Sequence, residues 1–251
     1  MLTKITPVIL TYNEAPNIQR TLEALTWANR IVVLDSFSDD ETEEICRKYS
    51  NVDFFQRRFD SLAKQWEAAI DKNIDTEWVL ALDADYVLSP ELIQELEEVD
   101  ETKHIDGYRT HFIYVVDGKP LRGSLYPPVT TLYRVRKASY IQDGHAQRVV
   151  ISGMIGNLNQ KIFHDDRKSS ERWHHSQVNY ARQEAEKLSK LSLSEMKLND
   201  KFRFFGLGPV LVIPYTLIYR GVILDGVAGM KYTYQRVVAE LYLLRARLGV
   251  L

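Results

Sequence analysis

Apolar residues in the first hundred positions come in short blocks separated by amphipathic stretches. Ile5 to Leu10, Ile31 to Leu34, Val52 to Phe55 and Trp78 to Leu82 have the length and composition of buried strands. Between them, Ile18, Leu22 and Leu25 share one face of a helix beginning near Pro16. Asp39 or Asp40 caps a short helix that turns Ile45 and Tyr49 inward. Leu62, Trp66, Ala69 and Ile70 mark a third helix, and Ser89-Pro90 opens a fourth carrying Leu92, Ile93 and Leu96. Strands separated by helical stretches of this length imply right-handed crossovers and a mainly parallel sheet.

The pattern changes between Gly107 and about His164. Tyr108 to Val115, Thr130 to Val135, Ala146 to Ile151 and Ile155 to Leu158 are expected as strands of an antiparallel or mixed region, with turns at Asp117-Gly118 and Gly153. Lys168 to Leu193 is expected to be helical, with Val178, Ala181, Ala185 and Leu188 on one side. The last fifty residues mix Phe, Tyr, Leu, Val and Ile with Lys201, Arg203, Arg220, Lys231, Arg236, Arg245 and Arg247. Such a basic, aromatic segment suits either an interfacial membrane anchor or a helical hairpin packed on the first domain or on a second subunit. The stretch from Phe204 to Leu224 contains Pro209, Pro214 and Arg220, which argues against a transmembrane span. The expected division is therefore a sheet domain over 1–165 and a helical region over 166–251.

With 251 residues, the chain can bury a sizeable core. A formal net charge of −2 gives no sign of nucleic-acid binding. The single cysteine, Cys46, excludes an internal disulfide and fits a reducing compartment, and no cleavable leader pattern follows Met1. No repeat is present. GxGxxG after the first strand and GxxxxGK[ST] are both missing, which argues against a dinucleotide dehydrogenase and a P-loop NTPase.

In a parallel sheet, ligands bind beyond the carboxyl ends of the strands. The segments there are Thr11-Tyr12-Asn13-Glu14, Asp35 through Asp40, Gln56-Arg57-Arg58 and Asp83-Ala84-Asp85, all rich in polar groups. Paired carboxylates in that place suit a hard divalent cation that keeps positions open for phosphates, although Asp83 and Asp85 also suit a turn into the Ser89-Pro90 helix.

Together, Thr11-Tyr12-Asn13-Glu14, the DSFSDDET segment from Asp35 and the Asp83-Ala84-Asp85 motif resemble the family 2 glycosyltransferases of the GT-A fold. DGHAQRV at 143–149, HDDRK at 164–168 and YRGVILDGVAG at 219–229 are similar to the subgroup of lipopolysaccharide-core β-glucosyltransferases. The resemblance implies an α/β GT-A domain, a Rossmann-like mainly parallel sheet flanked by helices, with a C-terminal amphipathic helical extension. It implies an inverting hexosyl transfer from a nucleotide-diphosphate sugar, a UDP-sugar by preference, to a hydroxyl of a lipid-linked or envelope glycan such as lipopolysaccharide core. The enzyme would be cytoplasmic and peripheral on the inner membrane face.

The residue roles follow from the same resemblance. Asp85 binds Mg²⁺ or Mn²⁺ and His164 adds a further metal ligand. Asp83 orients ribose or sugar hydroxyls, Asp35 accepts a hydrogen bond from the base, and Tyr12 offers a stacking face. Thr11 belongs to the same nucleotide loop, and Glu14 accepts from ribose or caps the helix at Pro16. Arg58 pairs with phosphate or is a solvated surface charge, and Arg167 or Lys168 contacts the diphosphate. Asp143 is the catalytic base, or else part of an Asp-Gly turn. Asp166 serves as an alternative helix N-cap, while His174 and His175 are helix residues rather than ligands. Tyr86 directly after Asp85, and Trp66-Glu67 in the third helix, depart from the family pattern. Two rivals remain: a sugar-phosphate nucleotidyltransferase, which calls for a glycine-rich loop after the first strand, and a non-catalytic membrane-peripheral binding protein.

Overall fold

The computed structural model describes residues 1–72, 74–143 and 146–251, with the backbone alone for Glu101, Gln142, Asp143, Ala146 and Gln147. In chain order the elements are β1 (Ile5–Thr11), α1 (Ile18–Glu23), β2 (Ile31–Asp35), α2 (Thr42–Cys46), β3 (Val52–Gln56), α3 (Leu62–Ile70), β4 (Trp78–Asp83), β5 (Tyr86–Leu88) and α4 (Pro90–Glu97). There follow β6 (Ile105–Val116), β7 (Lys119–Pro120), β8 (Val129–Arg134), β9 (Ala138–Asp143), β10 (Ala146–Ile151) and β11 (Met154–His164). The chain then turns helical, with α5 (Ser170–Ser189), α6 (Leu198–Phe204), α7 (Gly208–Pro214) and α8 (Val227–Arg247).

Two compact units result. The first comprises Met1–Ile113, Tyr126–Gln142 and Gln147–Arg167; the second comprises Tyr114–Leu125, Asp143–Ala146 and Lys168–Leu251. The chain leaves the first unit for the last time after Arg167. Unexpectedly, the second unit also draws in 114–125, because Val116 and Leu121 pack with Val222, Ala228 and Tyr232.

In the first unit the strand order is β3-β2-β1-β4-β8-β6-β11-β5. β3, β2, β1 and β4 are parallel, as the alternation of strand and helix predicts. β8 then runs antiparallel to β4, and β6 antiparallel to β8, so the middle of the chain extends the same sheet. Successive side chains of a strand point to opposite faces, and both faces here are covered. Ile5, Ile9, Ile31, Val33, Leu80 and Leu82 pack with Ile18, Leu22 and Leu92 of the helices on one face. Val8, Val32, Leu34 and Val79 pack with Trp66 and Ala69 of α3 on the other. Trp66 also stacks on Tyr140 of β9, with centroids 6.2 Å apart.

Cys46 closes α2 in the core and is fully buried. Burial, reinforced by the charges of Asp35 and Glu43, pushes its thiol up to about 12. The native protein is therefore expected to resist a thiol-reactive chromogen at pH 8 and to titrate one thiol in denaturant. Rapid native labelling would contradict this placement.

Candidate active site

The site grows from the carboxyl ends of β1, β2 and β4. Thr11 is in register with Asp35, and Leu10 with Asp83, so the two aspartates flank the end of β1. Two inter-strand spacings separate their backbones by about 10 Å. Asp35 is fully buried and holds two loops together. Its carboxylate accepts from Thr11 Oγ1 at 2.8 Å, Ser38 N at 2.7 Å and Ser38 Oγ at 2.5 Å, with Gln56 Nε2 at 3.4 Å. Ser38 Oγ in turn accepts from Asn13 N at 2.7 Å, and Asp39 N donates to Asn13 Oδ1 at 2.9 Å.

Asn13 and Phe37 both take left-handed backbone angles, with φ of 55° and 61°. Asn tolerates this region, whereas Phe requires its surroundings to enforce it. The interlocked loops leave Tyr12 54% and Phe37 50% exposed, giving two aromatic faces at the sheet edge. Phe37 was not anticipated as a site residue; an exposed aromatic inside a run of Ser and Asp was the available signal. Gln65 of α3, also unanticipated, donates to Ser36 Oγ at 3.0 Å and accepts from Arg57 at 2.5 Å. It thereby joins the loops after β2 and β3.

The Asp-Ala-Asp motif spans the end of β4 and the start of β5. Asp83 is exposed and Asp85 is buried. β5 pairs antiparallel with β11, placing His164 opposite Tyr86. That pairing brings His164 Nε2 to 3.0 Å from Asp85 Oδ2 across 79 positions of sequence. Burial works against the charged imidazole, yet the charge and hydrogen bond of Asp85, with Asp83 and Asp166 behind them, leave its pKa raised. Tyr86 is buried beside Phe112, and its hydroxyl lies 2.5 Å from that of Tyr126. Both tyrosine rings pack against His164, with centroids 5.5 and 4.7 Å away. Tyr86 and Tyr126 thus wall the histidine.

Asp165 and Asp166 do not cap the helix that follows. Ser169 does, accepting from Arg172 N at 3.3 Å. The aspartates are used instead against α1. Arg20 pairs with Asp165 and also donates to its carbonyl at 2.9 Å. Buried Asn17 donates to Asp166 Oδ1 at 3.0 Å and to Glu14 Oε2 at 2.9 Å, and it accepts from Arg167 N at 2.8 Å. The loop after β1 and the end of β11 are therefore tied through Asn17, and Glu14 belongs to that tie. Local sequence signals suggested the cap because Asp is a frequent N-cap residue; the ion pair with Arg20 lies 145 positions away.

Arg58 is exposed. Its neighbour Arg57 is held by Asp60, with Nη1 and Nη2 each 2.9 Å from a carboxylate oxygen. Lys168 belongs to the second unit. The side chain of Asp143 lies outside the described residues, as do Gly144 and His145. Among the described residues no group of three or more His, Cys, Asp or Glu forms a ready-made cation cage. Asp85 and His164 nevertheless fit a divalent ion that takes few protein ligands and fills its remaining positions from phosphate and water.

A curled α/β sheet flanked by helices, with acidic groups at its carboxyl edge, defines the GT-A class of folds. The glycosyl transferase family 2 model matches residues 6–157, and the chain belongs to that family. A Rickettsia bellii protein described as an uncharacterized glycosyltransferase is 30% identical over 144 residues, 55% of this chain and 48% of its own length. A Rickettsia felis protein of the same description is 26% identical over 182 residues, 64% of this chain and 62% of its own. The chain thus spans between about half and three-fifths of the length of these relatives. Staphylococcus aureus TarS (residues 1–349) superposes with a TM-score of 0.52 at 15% identity, covering 98% of this chain and 91% of that one, a likeness of fold.

Proposed function

We propose that the chain transfers a hexosyl group, with inversion, from a nucleotide-diphosphate sugar to a hydroxyl of a lipid-linked or envelope glycan. The donor in this reading is a UDP-sugar. Family membership supports a nucleotide-sugar donor. The observation that carries the reading is the gathering of Asp35, Asp83, Asp85 and His164 by the β1–β2, β1–β4 and β5–β11 pairings. Tyr12, with Phe37 beside it, provides the aromatic face for the base, and Thr11 and Asp35 hold the loop that presents it. Asp83, exposed at the end of β4, accepts from ribose or sugar hydroxyls, with Glu14 at the neighbouring loop.

Asp85 and His164 hold Mg²⁺ or Mn²⁺; the imidazole favours Mn²⁺ of the two. Held there, the ion would supply positive charge for the departing diphosphate. Arg58 and Lys168 are the candidate cations for the phosphates in this reading. The acceptor oxygen attacks the anomeric carbon, its proton passes to Asp143, and the nucleoside diphosphate departs. The basic, aromatic C-terminal segment keeps the protein peripheral on the inner membrane face, where such acceptors reside, or else joins two subunits.

Calorimetric titration with UDP-, GDP- and dTDP-sugars, with and without Mn²⁺, tests this reading. The expected result is Mn²⁺-dependent heat with the UDP-sugar. Heat with none of the donors would remove the proposal, and pyrophosphate release from a sugar phosphate plus nucleoside triphosphate would replace it with nucleotidyl transfer.

A further inference from the structure

The second unit has an apolar core of Val116, Leu121, Val222, Ala228 and Tyr232, yet it leaves a row of large apolar side chains on its surface. Between α7 and α8 the chain forms a π-helical turn, Tyr215–Tyr219, and a 3-10 turn, Val222–Asp225. Val222, Ala228 and Tyr232 pack there with Val116 and Leu121, and small and polar residues make the close helix contacts beside them. Thr216 and Thr233 are buried, and Thr216 Oγ1 lies 3.1 Å from Thr233 Oγ1. These hydroxyls also donate to backbone carbonyls, Thr216 to Val212 at 2.7 Å and Thr233 to Gly229 at 3.0 Å. Gly229 faces the Val222 carbonyl so closely that a Cβ would sit 1.8 Å from its oxygen. Asp225 is buried and accepts from Arg122 N at 3.0 Å.

Other large apolar side chains of this region stand on the surface. Val210, Ile218, Tyr219, Leu224 and Val227 are 67–84% exposed. In water, a contiguous exposed patch of large apolar side chains marks a surface that meets a partner or a membrane. Helices packed through glycine and threonine with aliphatic side chains outward are the arrangement of segments whose surroundings are hydrocarbon.

Charge identifies the kind of apolar surroundings. Residues 168–251 hold 13 Lys and Arg against 7 Asp and Glu, whereas residues 1–167 hold 19 against 27. The excess of basic residues in this C-terminal segment is complementary to anionic lipid. Tyr215 and Tyr219 stack at 4.9 Å, and the Arg220 guanidinium lies 5.5 and 6.0 Å from their centroids. Such a cluster belongs at a headgroup boundary, where an amphipathic ring and a snorkelling cation are both satisfied. Among the described residues no helix is long and apolar enough to cross a membrane. An element of this length held at a membrane would lie in one leaflet.

From these observations we propose that the ridge from Val210 to Val227 is a monotopic insertion element that buries its aliphatic side chains in one leaflet of an anionic bilayer. This deepens the membrane part of the proposed function, on which it rests for its biological sense but not for its physics. The test is sedimentation of the full chain with phosphatidylcholine vesicles and with phosphatidylcholine–phosphatidylglycerol vesicles. The protein is expected to partition at least tenfold more strongly onto the anionic vesicles.

The triple variant Ile218→Asp, Leu224→Asp, Val227→Asp changes only exposed positions and is expected to lose at least tenfold in partition with an unchanged melting curve. Ile218→Trp is expected to be quenched by chain-brominated lipid. Wild-type protein left in the supernatant, a triple variant that still binds, or an unquenched Ile218→Trp would each overturn the proposal. So would a soluble dimer dissociated by the triple variant, which would give the ridge to a second copy. UDP-sugar calorimetry on the triple variant reads the donor site separately, so failure of either reading is recognisable alone.

Discussion

Asp85→Asn is expected to lower kcat/KM about 10²- to 10³-fold, the loss typical when one preorganised charge-stabilising group is removed. Asn keeps the shape of the side chain and can still meet His164 Nε2, so the fold is expected to persist. What disappears is the negative charge that, in the proposed function, would hold the cation. Nucleoside diphosphate release at saturating Mn²⁺ measures the effect, and donor titration should lose its Mn²⁺ dependence in parallel. Activity within threefold of wild type would remove Asp85 from the metal site and leave Asp83 to hold the cation.

Asp35→Ala is expected to act first on stability. Three donors, Thr11 Oγ1, Ser38 N and Ser38 Oγ, would lose their acceptor in a fully buried place. An unsatisfied buried polar group costs about 1–3 kcal/mol, and relaxation of the loop toward solvent recovers part of the sum. A net loss of about 3 kcal/mol corresponds to a melting temperature lower by roughly 6–12 °C for a chain of this size. Because Ser38 also anchors Asn13, donor affinity should weaken below the melting range as well. An unaltered melting curve would show that the two loops hold together without the carboxylate.

These two aspartates differ in how far sequence reasoning reaches them. Asp35 ends a strand whose alternate residues, Val33 on one face and Val32 and Leu34 on the other, pack into the two cores. Its place at the carboxyl edge follows from local periodicity and the crossover rule. Its role as the anchor of Ser38 does not, since that depends on loop backbone angles. The Asp85–His164 contact depends on β5 pairing with β11. β5 has only three residues, too few for a period to be visible, and went unanticipated. β11 was expected over Ile155–Leu158 but continues to His164. Its polar Asn159 and Gln160 offer no alternation signal, and their backbone N–H groups are instead satisfied by Glu95, each at 2.8 Å. β9 was likewise missed, although Tyr140 within it covers Trp66.

From sequence alone, the parallel half of the sheet, its helices, the acidic loops at its edge and the family were determined. Each is encoded in short-range patterns that a few consecutive residues impose on a backbone. Only the tertiary structure decided that His164 meets Asp85, that Asn17 and Arg20 bind the aspartates of the HDDRK segment, and that the C-terminal aliphatics face outward over a threonine–glycine contact. Those outcomes are set by pairings between residues tens of positions apart. Their free energy comes from burial and hydrogen bonds that exist only once the chain has closed on itself.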